Sequence, residues 1–508
     1  MTELRPYQKA AMANLRATVA QGVNRIMLAS PTGSGKTRLA TEIAFGSRSK
    51  QKRVAFVVPA IGLVDQAYEM FYAEGVRDIG VIQANHIATN WANPVQICSI
   101  QTIDRRGVVP GADVVIFDEA HVLYQAHKRW ITDPEWQHVP FIGMSATPWA
   151  RGLGKYFQTL LRVSTLQELI DLHFLAPFRV FSVGHPDLTK VRTVADDYHT
   201  GDLTEAMQEN GLCADIIHTY QKRWGMGKTL CFAVDKAHAL SLQERFNYAG
   251  IKCGYQDADT PLDVRRMIRK MFHDGTYQIV VNIDTLTIGT DWDVRCLILA
   301  RPTRSAMKFT QIIGRALRLA EGKEEAIILD HSDNHLRLGF VTDVEASYDH
   351  LDSGEPKAKN ARQEKREKLP VECKGCSALY LPNYQRKCPN CGLVTKLQSE
   401  IIERDGELME IKRDGSMIMA KGVPAREWTE RERKQFYCEL KAYGIEHGYK
   451  PGWCAAKYKD KFGGWPPRSY QGLPPATAVS PTMVQWIRSR AIAWARSKRR
   501  LEAEHVNH

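Results

Sequence analysis

The 508-residue sequence has no apolar run close to the ~18 residues that a membrane-spanning helix requires. Its first residues, Met1 to Pro6, lack the apolar stretch of a secretory signal peptide. No repeat of the roughly 20–50-residue period that marks solenoid proteins recurs along the chain. These absences exclude a membrane protein and a solenoid. We expect a cytoplasmic protein without a membrane partner.

The first 353 residues also lack net charge, because they hold 39 Lys and Arg and 39 Asp and Glu. Residues 354–508 hold 30 Lys and Arg and 18 Asp and Glu, so they carry the whole net charge of +12. This asymmetry favours an appended module that binds a polyanion. A solubilising tail is the alternative, since runs of charge are often only solvated faces.

Cysteine is infrequent and unevenly placed. Seven of the 11 cysteines are scattered, as buried small apolar residues often are. The other four, Cys373, Cys376, Cys388 and Cys391, form two C-x₂-C pairs. In a cytoplasmic chain this spacing predicts four thiolates around a structural Zn²⁺ rather than disulfides. An iron–sulfur cluster, which also uses four cysteines, is the alternative.

Length and hydrophobic pattern predict three or four domains, because a chain this long exceeds one core. Residues 1–160 and 205–335 each alternate helical patterns with continuous β-branched runs such as Val54–Val58, which are typical of parallel strands. We therefore predict an α/β fold with two doubly wound lobes. The predicted domains are lobe 1 at 1–160, a connector with lobe 2 at 161–345, a charged linker at 346–370, a zinc ribbon at 371–395, and a basic, mainly helical domain at 396–508.

The predicted elements follow from the same patterns. Continuous apolar runs predict strands at Arg25–Ala29, Val54–Val58, Val114–Phe117, Phe141–Met144, Thr229–Val234, Tyr277–Val281, Cys296–Leu299 and Ala326–Leu329. Helical periodicity predicts helices at Pro6–Val19, Thr37–Phe45 and Pro261–Asp274.

A phosphate-binding loop is predicted at Ser30–Thr37, between a strand and a helix. Gly33 and Gly35 let backbone N–H groups surround phosphate oxygens, and the positive end of the following helix faces the same anion. Ser30 stands where the motif G-x-x-x-x-G-K-[ST] has its first glycine. The residues predicted to bind nucleotide here are Pro31, Thr32, Gly33, Ser34, Gly35, Lys36 and Thr37.

Carboxylates at a strand end complete the predicted chemistry of this loop. Asp118 and Glu119 follow the strand predicted at Val114–Phe117, so they emerge at the sheet edge where ligands bind in this fold class. Lys36 would reach the β- and γ-phosphates, and Thr37 and Asp118 would hold Mg²⁺. Glu119 would act as the general base that activates the attacking water.

Two arginines in the second block are candidates for transition-state contacts. Arg315 and Arg318 lie three residues apart on a predicted helix and share a face. Hydrolysis needs positive charge at the γ-phosphate, which an arginine of the second lobe can supply only when the lobes close. A basic surface helix is the alternative.

The order of these segments resembles that of the conserved motifs of superfamily 2 helicases of the DEAD/DEAH-box kind. The resemblance covers residues 1–335 and implies two tandem RecA-like P-loop lobes with ATP and Mg²⁺ between them. The segments that carry it are Leu4–Gln8, Ser30–Thr37, Val57–Ala60, Ser99–Thr102, Asp118–His121, Ser145–Thr147, Gly289–Asp291 and Gln311–Arg318.

The resemblance also implies roles for residues that spacing alone does not single out. Arg5 and Gln8 belong to the segment that resembles the adenine-sensing Q motif. Gly289 and Asp291 match motif V, and Gln311 matches motif VI. The segments at 57–60 and 99–102 resemble strand-contacting motifs, and the segment at 145–147 resembles the motif that couples hydrolysis to motion. In the stretch Val280–Asp291 and in Ile328–Asp330, the second lobe resembles RadD-type DNA repair helicases and their phage relatives. This resemblance implies a bacterial nucleoid or a phage-infected cell.

The last sixty residues interleave cations with aromatic rings. Tyr449, Trp453, Tyr458 and Trp465 alternate with lysines, and such rings can stack on bases while the cations neutralise phosphates. The alternative is that Trp453, Tyr458, Trp465 and the nearby Phe462 form the core of a small helical domain. The pattern after Met483 predicts an amphipathic basic helix that fits phosphate or an acidic partner.

We therefore expect a DNA helicase or translocase that uses ATP, Mg²⁺ and Zn²⁺ and acts in repair, recombination or phage replication. It would grip single-stranded or branched DNA largely without sequence readout. Single-stranded-DNA-binding or recombination proteins are the expected protein partners. The alternatives are an RNA helicase, a non-catalytic scaffold that recruits repair or replication proteins, and the motor subunit of a restriction system.

Overall fold

The computed structural model describes most of the chain, and none of the described helices is long and apolar enough to cross a membrane. The described residues are 3–83, 86–182, 193–194, 197–204, 215–286, 292–354, 371–373, 376, 379–380, 387–394, 401, 408–413, 417–418, 429–450, 452–462, 464–480, 483–484 and 487.

Lobe 1 is built on a seven-stranded parallel sheet. Its strands are β1 (Arg25–Ala29), β2 (Val54–Val58), β3 (Ile79–Ile82), β4 (Val95–Ser99), β5 (Val114–Asp118), β6 (Phe141–Ser145) and β7 (Thr159–Arg162). They lie in the order β3-β4-β2-β5-β6-β1-β7. Continuous apolar runs form these strands because each face of the sheet packs against its own apolar cluster.

Helices cover both faces of this sheet. They are Pro6–Ala20, Lys36–Arg48, Val64–Ala73, Ile100–Arg106 and Gln125–Thr132. Because the strands are parallel, their carboxyl ends meet at one edge, which carries the loops after β1, β2, β4, β5 and β6. This edge is where the functional side chains of lobe 1 lie.

Lobe 2 has an eight-stranded sheet of mixed direction. Within the described residues the remaining strands are β8 (Phe178–Ser182), β9 (Thr193–Val194), β10 (Asp197–Tyr198), β11 (Thr229–Ala233), β12 (Cys253–Gln256), β13 (Ile279–Asn282), β14 (Cys296–Ala300), β15 (Ala326–Asp330), β16 (Val371–Glu372), β17 (Leu379–Tyr380), β18 (Met409–Ile411) and β19 (Met417–Ile418). The lobe 2 sheet has the order β12-β13-β11-β14-β15-β8-β18-β19. Its first six strands are parallel, whereas β18 pairs antiparallel with β8 and with β19.

Lobe 2 repeats the layered arrangement of lobe 1, since an apolar cluster lies on each face of its sheet. Its helices are Leu166–Asp171, Ile216–Arg223, Lys236–Tyr248, Leu262–His273, Ala306–Ala316, Asn334–Leu338 and Val341–Ala346. The predicted α/β class with two tandem lobes is confirmed, and each strand predicted above begins and ends within two residues of an observed strand.

The predicted domain 396–508 does not coincide with one structural unit. Strands β18 and β19 lie in the sheet of lobe 2, where the Arg179 guanidinium binds both carboxylate oxygens of Glu410, at 3.0 and 2.7 Å. This segment therefore extends lobe 2 and covers the outer edge of its parallel sheet. Among the described residues, a separate helical unit begins with Thr429, which caps the helix Glu430–Glu446.

The helical unit packs Glu430–Glu446 against Gly452–Phe462 around a small apolar core. The aromatic residues of the tail differ in how far this core buries them. Tyr458 is buried in it, Trp453 and Phe462 pack against it, and Trp465 remains 63% exposed. Most of the basic helix predicted after Met483, and residues 355–370 of the predicted linker, lie outside the described residues.

The segment after lobe 2 returns to lobe 1. Tyr348 stacks on Trp149 with ring centroids 4.2 Å apart and planes inclined by 13°. The Arg162 guanidinium donates to the Tyr348 carbonyl at 2.6 Å, and the Gly154 N–H donates to the carbonyl of Asp352 at 2.9 Å. The chain thus contacts lobe 1 again before the cysteine cluster begins.

Candidate ATP site between the lobes

The loop after β1 has the backbone of an anion-binding turn. Gly33 and Gly35 both have φ of 83°, a left-handed conformation that glycine adopts without strain. Gly35 is the N-cap of the helix that starts at Lys36, and no side chain caps that helix. Its first N–H groups are therefore available to an anion.

Serine at the first glycine position fits the loop. Ser30 is fully buried, and its Oγ lies 2.6 Å from the Oγ of Ser34. The Ser34 hydroxyl and N–H both donate to the Pro31 carbonyl, at 2.6 and 3.1 Å. These hydrogen bonds close the turn from behind, so Pro31 and Ser34 shape the loop, whereas Lys36 and Thr37 face the cavity.

A cavity of about 400 Å³ lies in front of this loop, and both lobes contribute to its wall. This volume is of the size that small-molecule sites have. Lobe 1 supplies the loop and the two carboxylates, and lobe 2 supplies the glutamine and both arginines. The predicted site residues on the wall are Arg5, Thr32, Gly33, Gly35, Lys36, Thr37, Asp118, Glu119, Gln311, Arg315 and Arg318.

The two carboxylates occupy the end of β5. Glu119 has φ of 46°, a conformation that is uncommon outside glycine, and its N–H donates to Asp118 Oδ1 at 3.0 Å. The Lys36 Nζ donates to Glu119 Oε1 at 2.8 Å. The phosphate-loop lysine and the predicted general base are therefore in direct contact in this structure.

Burial and neighbouring charges shift the pKa values of the two carboxylates in opposite directions. Burial, together with the charge of Glu119, raises the pKa of Asp118 to about 6. Burial also opposes ionisation of Glu119, but the ammonium of Lys36 and the hydrogen bond from His121 outweigh it and lower the pKa of Glu119 below its ordinary value. Glu119 is thus held ionised, as a proton acceptor must be.

A hydrogen-bonded chain connects lobe 2 to Glu119. The Gln311 amide donates to His121 Nε2 at 3.2 Å, so the proton of His121 lies on Nδ1. That Nδ1 lies 3.3 Å from Glu119 Oε2 and 2.9 Å from the hydroxyl of Ser145. The Gln311 amide also donates to the Thr147 hydroxyl at 3.1 Å. A continuous set of polar contacts thus joins Gln311 of lobe 2 to Glu119 of lobe 1 through His121.

Lobe 2 also packs closely against the phosphate loop. A Cβ on Gly314 would lie 2.8 Å from the Cβ of Thr32, so only glycine fits at that point of the helix. A Cβ on Gly33 would meet the side chain of Leu175 at 2.6 Å and that of Arg318 at 3.8 Å. The closed arrangement of the lobes brings the arginines to the same cavity as Lys36.

The residues of the predicted adenine-sensing segment have two different positions. Gln8 is buried behind the loop, where its Nε2 donates to the Ser34 carbonyl at 2.8 Å. Arg5 reaches the cavity wall and lies 4.4 Å from the ring centroid of Phe174. Phe174, from the connector, also packs against Tyr7 at 5.4 Å. Gln8 therefore contacts the loop, whereas Arg5 and Phe174 form one end of the cavity.

Sequence reasoning missed two of these residues. His121 was present in the Asp118–His121 segment, but its bond to Gln311 joins residues 190 positions apart. Phe174 lies in a connector without a recognisable motif, so no sequence signal marked it. Gly289 and Asp291, predicted to bind nucleotide, lie outside the described residues.

Two family models match the chain. Residues 1–150 match the model of the type III restriction enzyme res subunit, and residues 212–320 match that of the helicase conserved C-terminal domain. The chain belongs to superfamily 2 of the helicases. It is thus an ATPase whose lobe 1 and lobe 2 correspond to the two matched domains.

Two relatives share the helicase region. The helicase is 28% identical over 399 residues to a 51.5 kDa protein of a Lactococcus phage. That match covers 76% of this chain and 82% of the phage protein. It is also 28% identical over 353 residues to IRC3 of Saccharomyces cerevisiae, named as an ATP-dependent helicase. That match covers 64% of this chain, which spans about half (51%) of the yeast protein.

A solved structure supports the fold of the helicase. A fragment of an HsdR subunit of a type I restriction enzyme from Vibrio vulnificus has a TM-score of 0.51 and 22% identity. The match covers 70% of this chain and 67% of the fragment. At that identity the likeness concerns the fold.

The four clustered cysteines of the helicase converge in space. Their Sγ atoms all lie within 4.8 Å of one another, with 3.5 Å between Cys373 and Cys391 and 3.7 Å between Cys376 and Cys388. Tetrahedral zinc with Zn–S bonds of about 2.3 Å places its sulfurs about 3.8 Å apart. The donor set and its spacing therefore fit a structural zinc ion with four thiolate ligands.

Proposed function

We propose that this helicase is a DNA-stimulated ATPase that translocates on DNA and unwinds or remodels it. The cavity at the lobe interface is the observation that carries the proposal, because the phosphate loop and the arginines face the same space. A site divided between two lobes is complete only when the lobes are closed. Each cycle of ATP binding and hydrolysis can therefore be converted into motion of one lobe against the other.

ATP would enter with its triphosphate on the phosphate loop. The N–H groups around Gly33 and Gly35 would bind the phosphate oxygens, and Lys36 would leave Glu119 for the β- and γ-phosphates. The base would lie at the other end of the cavity, against the ring of Phe174 and the guanidinium of Arg5. Gln8 would act indirectly, since it fixes the loop through the carbonyl of Ser34.

Hydrolysis would then use groups from both lobes. Release of Lys36 frees Glu119 to accept a proton from the attacking water. Thr37 and Asp118, which both line the cavity, would hold Mg²⁺, and the ion would neutralise charge on the phosphates. Arg315 and Arg318 would stabilise the negative charge that develops at the γ-phosphate. The roles of these residues are part of the proposal.

DNA would lie along the carboxyl edge of the lobe 1 sheet. The segments Val57–Ala60 and Ser99–Thr102 begin at the carboxyl ends of the adjacent strands β2 and β4, and the Ile61 N–H donates to Gln101 Oε1 at 3.4 Å. We favour single-stranded or branched DNA bound mainly through phosphates. Repair, recombination or phage replication is the proposed setting, and the similarity to a phage protein supports it. Single-stranded-DNA-binding and recombination proteins stay the proposed partners, and closeness to RadD-type helicases stays a prediction.

The cysteine cluster would hold zinc in a structural role, because four thiolates fill the coordination sphere and leave no open position. Zinc analysis of the purified chain checks this assignment. We expect about one zinc per chain, and an iron-dependent brown colour would contradict it.

The test of the proposed function is the Glu119→Gln variant. It removes the proton acceptor and keeps the shape, so we expect ATP turnover to become undetectable while ATP still binds. Glu135→Gln, an exposed change in the same lobe, is the matched control and should leave turnover unchanged. Near-normal turnover of Glu119→Gln would refute the catalytic assignment.

The identity of the polymer is tested separately. ATPase rates of the wild-type chain should rise with single-stranded or forked DNA and less with RNA of the same sequence. Greater stimulation by RNA would favour an RNA helicase.

The motor subunit of a restriction system is the second candidate. The match of residues 1–150 to the type III restriction enzyme res model favours it. Such a motor would be stimulated most by duplex DNA, so the same set of rates distinguishes it from the first proposal.

A further inference from the structure

The helical unit at the end of the chain carries an unusual group of aromatic rings. His447 stacks on Tyr443 with centroids 3.9 Å apart and planes inclined by 14°. Tyr449 stacks on Trp453 at 4.6 Å and 11°. Both stacks lie where the helix Glu430–Glu446 ends and the helix Gly452–Phe462 begins.

The two stacks are parallel to each other. Tyr443 and Trp453 have centroids 5.9 Å apart and planes inclined by 19°, and His447 and Tyr449 have values of 6.3 Å and 9°. All four rings therefore lie in nearly parallel planes as two neighbouring stacks, which we name the aromatic platform. In the core of the same unit, by contrast, Tyr458 meets Tyr437 and Tyr470 edge to face, at 89° and 88°.

The platform is anchored on one side and open on the other. Tyr443 is 7% exposed and belongs to the apolar core, whereas Tyr449 is 47% exposed and His447 is exposed as well. Burial of large rings stabilises a fold, but exposed parallel rings contribute little to a core. Tyr443 and Trp453 hold the helices together, whereas Tyr449 and His447 keep accessible ring surface on which a further flat ring can stack.

The charge around the platform favours a polyanion. Residues 441–461 contain five lysines and two acidic residues, and Lys450, next to Tyr449, is exposed. Lys459 is also exposed and lies 4.8 Å from the ring centroid of Trp465. Rings that stack on bases combined with cations that neutralise phosphates are how proteins bind single strands without sequence preference.

We propose that the aromatic platform binds unpaired bases of single-stranded DNA, with Lys450 near the backbone. The inference rests on the proposed function and deepens it, since it adds a contact site outside the cleft between the lobes. A strand held there would stay bound to the chain while the lobes open.

The experiment measures the affinity of the full-length chain for a labelled oligo-dT by fluorescence anisotropy at one fixed salt concentration. The variants are Tyr449→Ala, His447→Ala and the ring-preserving Tyr449→Phe. We expect each alanine variant to bind roughly five- to tenfold more weakly and Tyr449→Phe to bind as the wild type does. Ile445→Ala, which changes a 70% exposed apolar residue at the end of the same helix, is the matched control.

The second part of the experiment uses a strand with the same number of phosphates but no bases. Its main comparison is made with the wild-type chain, so it does not depend on whether a variant folds. The wild-type chain should bind this abasic strand about as weakly as Tyr449→Ala binds oligo-dT, and Tyr449→Ala should lose little further on it. Equal affinity of wild type and Tyr449→Ala for oligo-dT would overturn the proposal. An equal loss on both strands would overturn it too, because it would show a contact to phosphate or a structural effect.

The ATPase rate separates this proposal from the proposed function. If single-stranded DNA stimulates the wild type and Tyr449→Ala equally, with equal affinities, the platform proposal fails alone. If single-stranded DNA neither binds to nor stimulates the wild type, the proposed function fails first. Stronger binding to RNA than to DNA at the platform would reassign its ligand and overturn the proposal as stated.

Discussion

Two helices, one in each lobe, begin in opposite ways. Both follow a buried parallel strand of five residues, β1 in lobe 1 and β11 in lobe 2. The helix at Lys36 starts from Gly35 without a side-chain cap. The helix at Lys236 starts from Asp235, whose carboxylate accepts the N–H of His238 at 2.8 Å. One positive helix end is open to an anion, and the other is already neutralised by the chain's own carboxylate.

The same contrast extends to other helices of lobe 2. The side chains of Asp215 and Ser305 cap the helices that start at Ile216 and Ala306. Lobe 2 therefore contributes side chains to the cavity. Gln311 and Arg315 come from the helix Ala306–Ala316, and Arg318 comes from just after it. Two similar sheets thus present different groups to the cavity: lobe 1 presents the uncapped start of a helix, and lobe 2 presents side chains.

The contribution of lobe 2 is tested most directly by removing its arginines. We expect Arg318→Ala and Arg315→Ala each to lower ATP turnover by roughly 10³-fold, because charge at the γ-phosphate is left uncompensated in the transition state. ATP affinity should change far less than turnover. Arg266→Ala, on an exposed part of lobe 2, is the control. Loss of affinity with unchanged turnover would contradict the assignment.

The open helix start can be closed by design. Gly35→Asp places a carboxylate where lobe 2 has Asp235, and we expect ATP affinity to fall by about a hundredfold or more. A Cβ at this position also meets Gln8 Nε2 at 2.5 Å, and φ of 83° is strained for any side chain. Gly35→Ala shares these two effects without the charge, so nucleotide titration of both variants separates charge from shape. Equal affinities in the two variants would exclude the electrostatic explanation.

A buried carboxylate of lobe 2 should make stability depend on pH. Burial raises the pKa of Glu345 to about 7 from the ordinary 4.5, although the Leu166 N–H and Arg162 favour its charge and Glu168 opposes it. The pKa of Glu345 is higher in the folded state than in the unfolded state. Ionising this carboxyl therefore costs the fold nothing below pH 4.5, an increasing amount between pH 4.5 and 7, and a constant amount above pH 7. Glu345→Gln should therefore raise stability above pH 7 by about 1–3 kcal/mol and much less at pH 4.5.

Thermal unfolding of this variant and the wild type at several pH values checks the difference. A stability gain that is the same at every pH would show that the Glu345 charge is not its cause.

The smallest effect is expected at the capped helix of lobe 2. Asp235→Ala removes the cap and should lower stability by about 1 kcal/mol, measured by denaturant unfolding. Nucleotide affinity should stay unchanged, because an uncapped helix without the glycine turn of lobe 1 is not a phosphate site. A second nucleotide bound by this variant, detected by equilibrium dialysis, would show that the cap alone separates the two lobes.

The sequence predicted the two lobes well because their strands are continuous apolar runs, a local signal. It missed β18, since Met409–Ile411 is three residues long and its partner β8 lies more than two hundred residues earlier. The convergence of Arg315 and Arg318 on the phosphate loop was expected from the charge that hydrolysis needs and from the order of the motifs. Their placement on one helix was wrong for Arg318, which lies two residues past the end of the helix Ala306–Ala316. Phe174 had no signal at all, as its position depends on how the connector folds against lobe 1.

The return of β18 to the sheet of lobe 2 has a mechanical consequence. The cysteine cluster lies in the chain between Val341–Ala346, a helix of that lobe, and β18, a strand of its sheet. Before the cluster the chain last contacts lobe 1, through Tyr348 and Asp352, and after the cluster β18 belongs to lobe 2. The cluster therefore lies in a segment with one flank on each lobe, so its surroundings would change as the lobes open and close. Co²⁺ in place of zinc at the four thiolates would then give a spectroscopic signal for the opening and closing of the lobes.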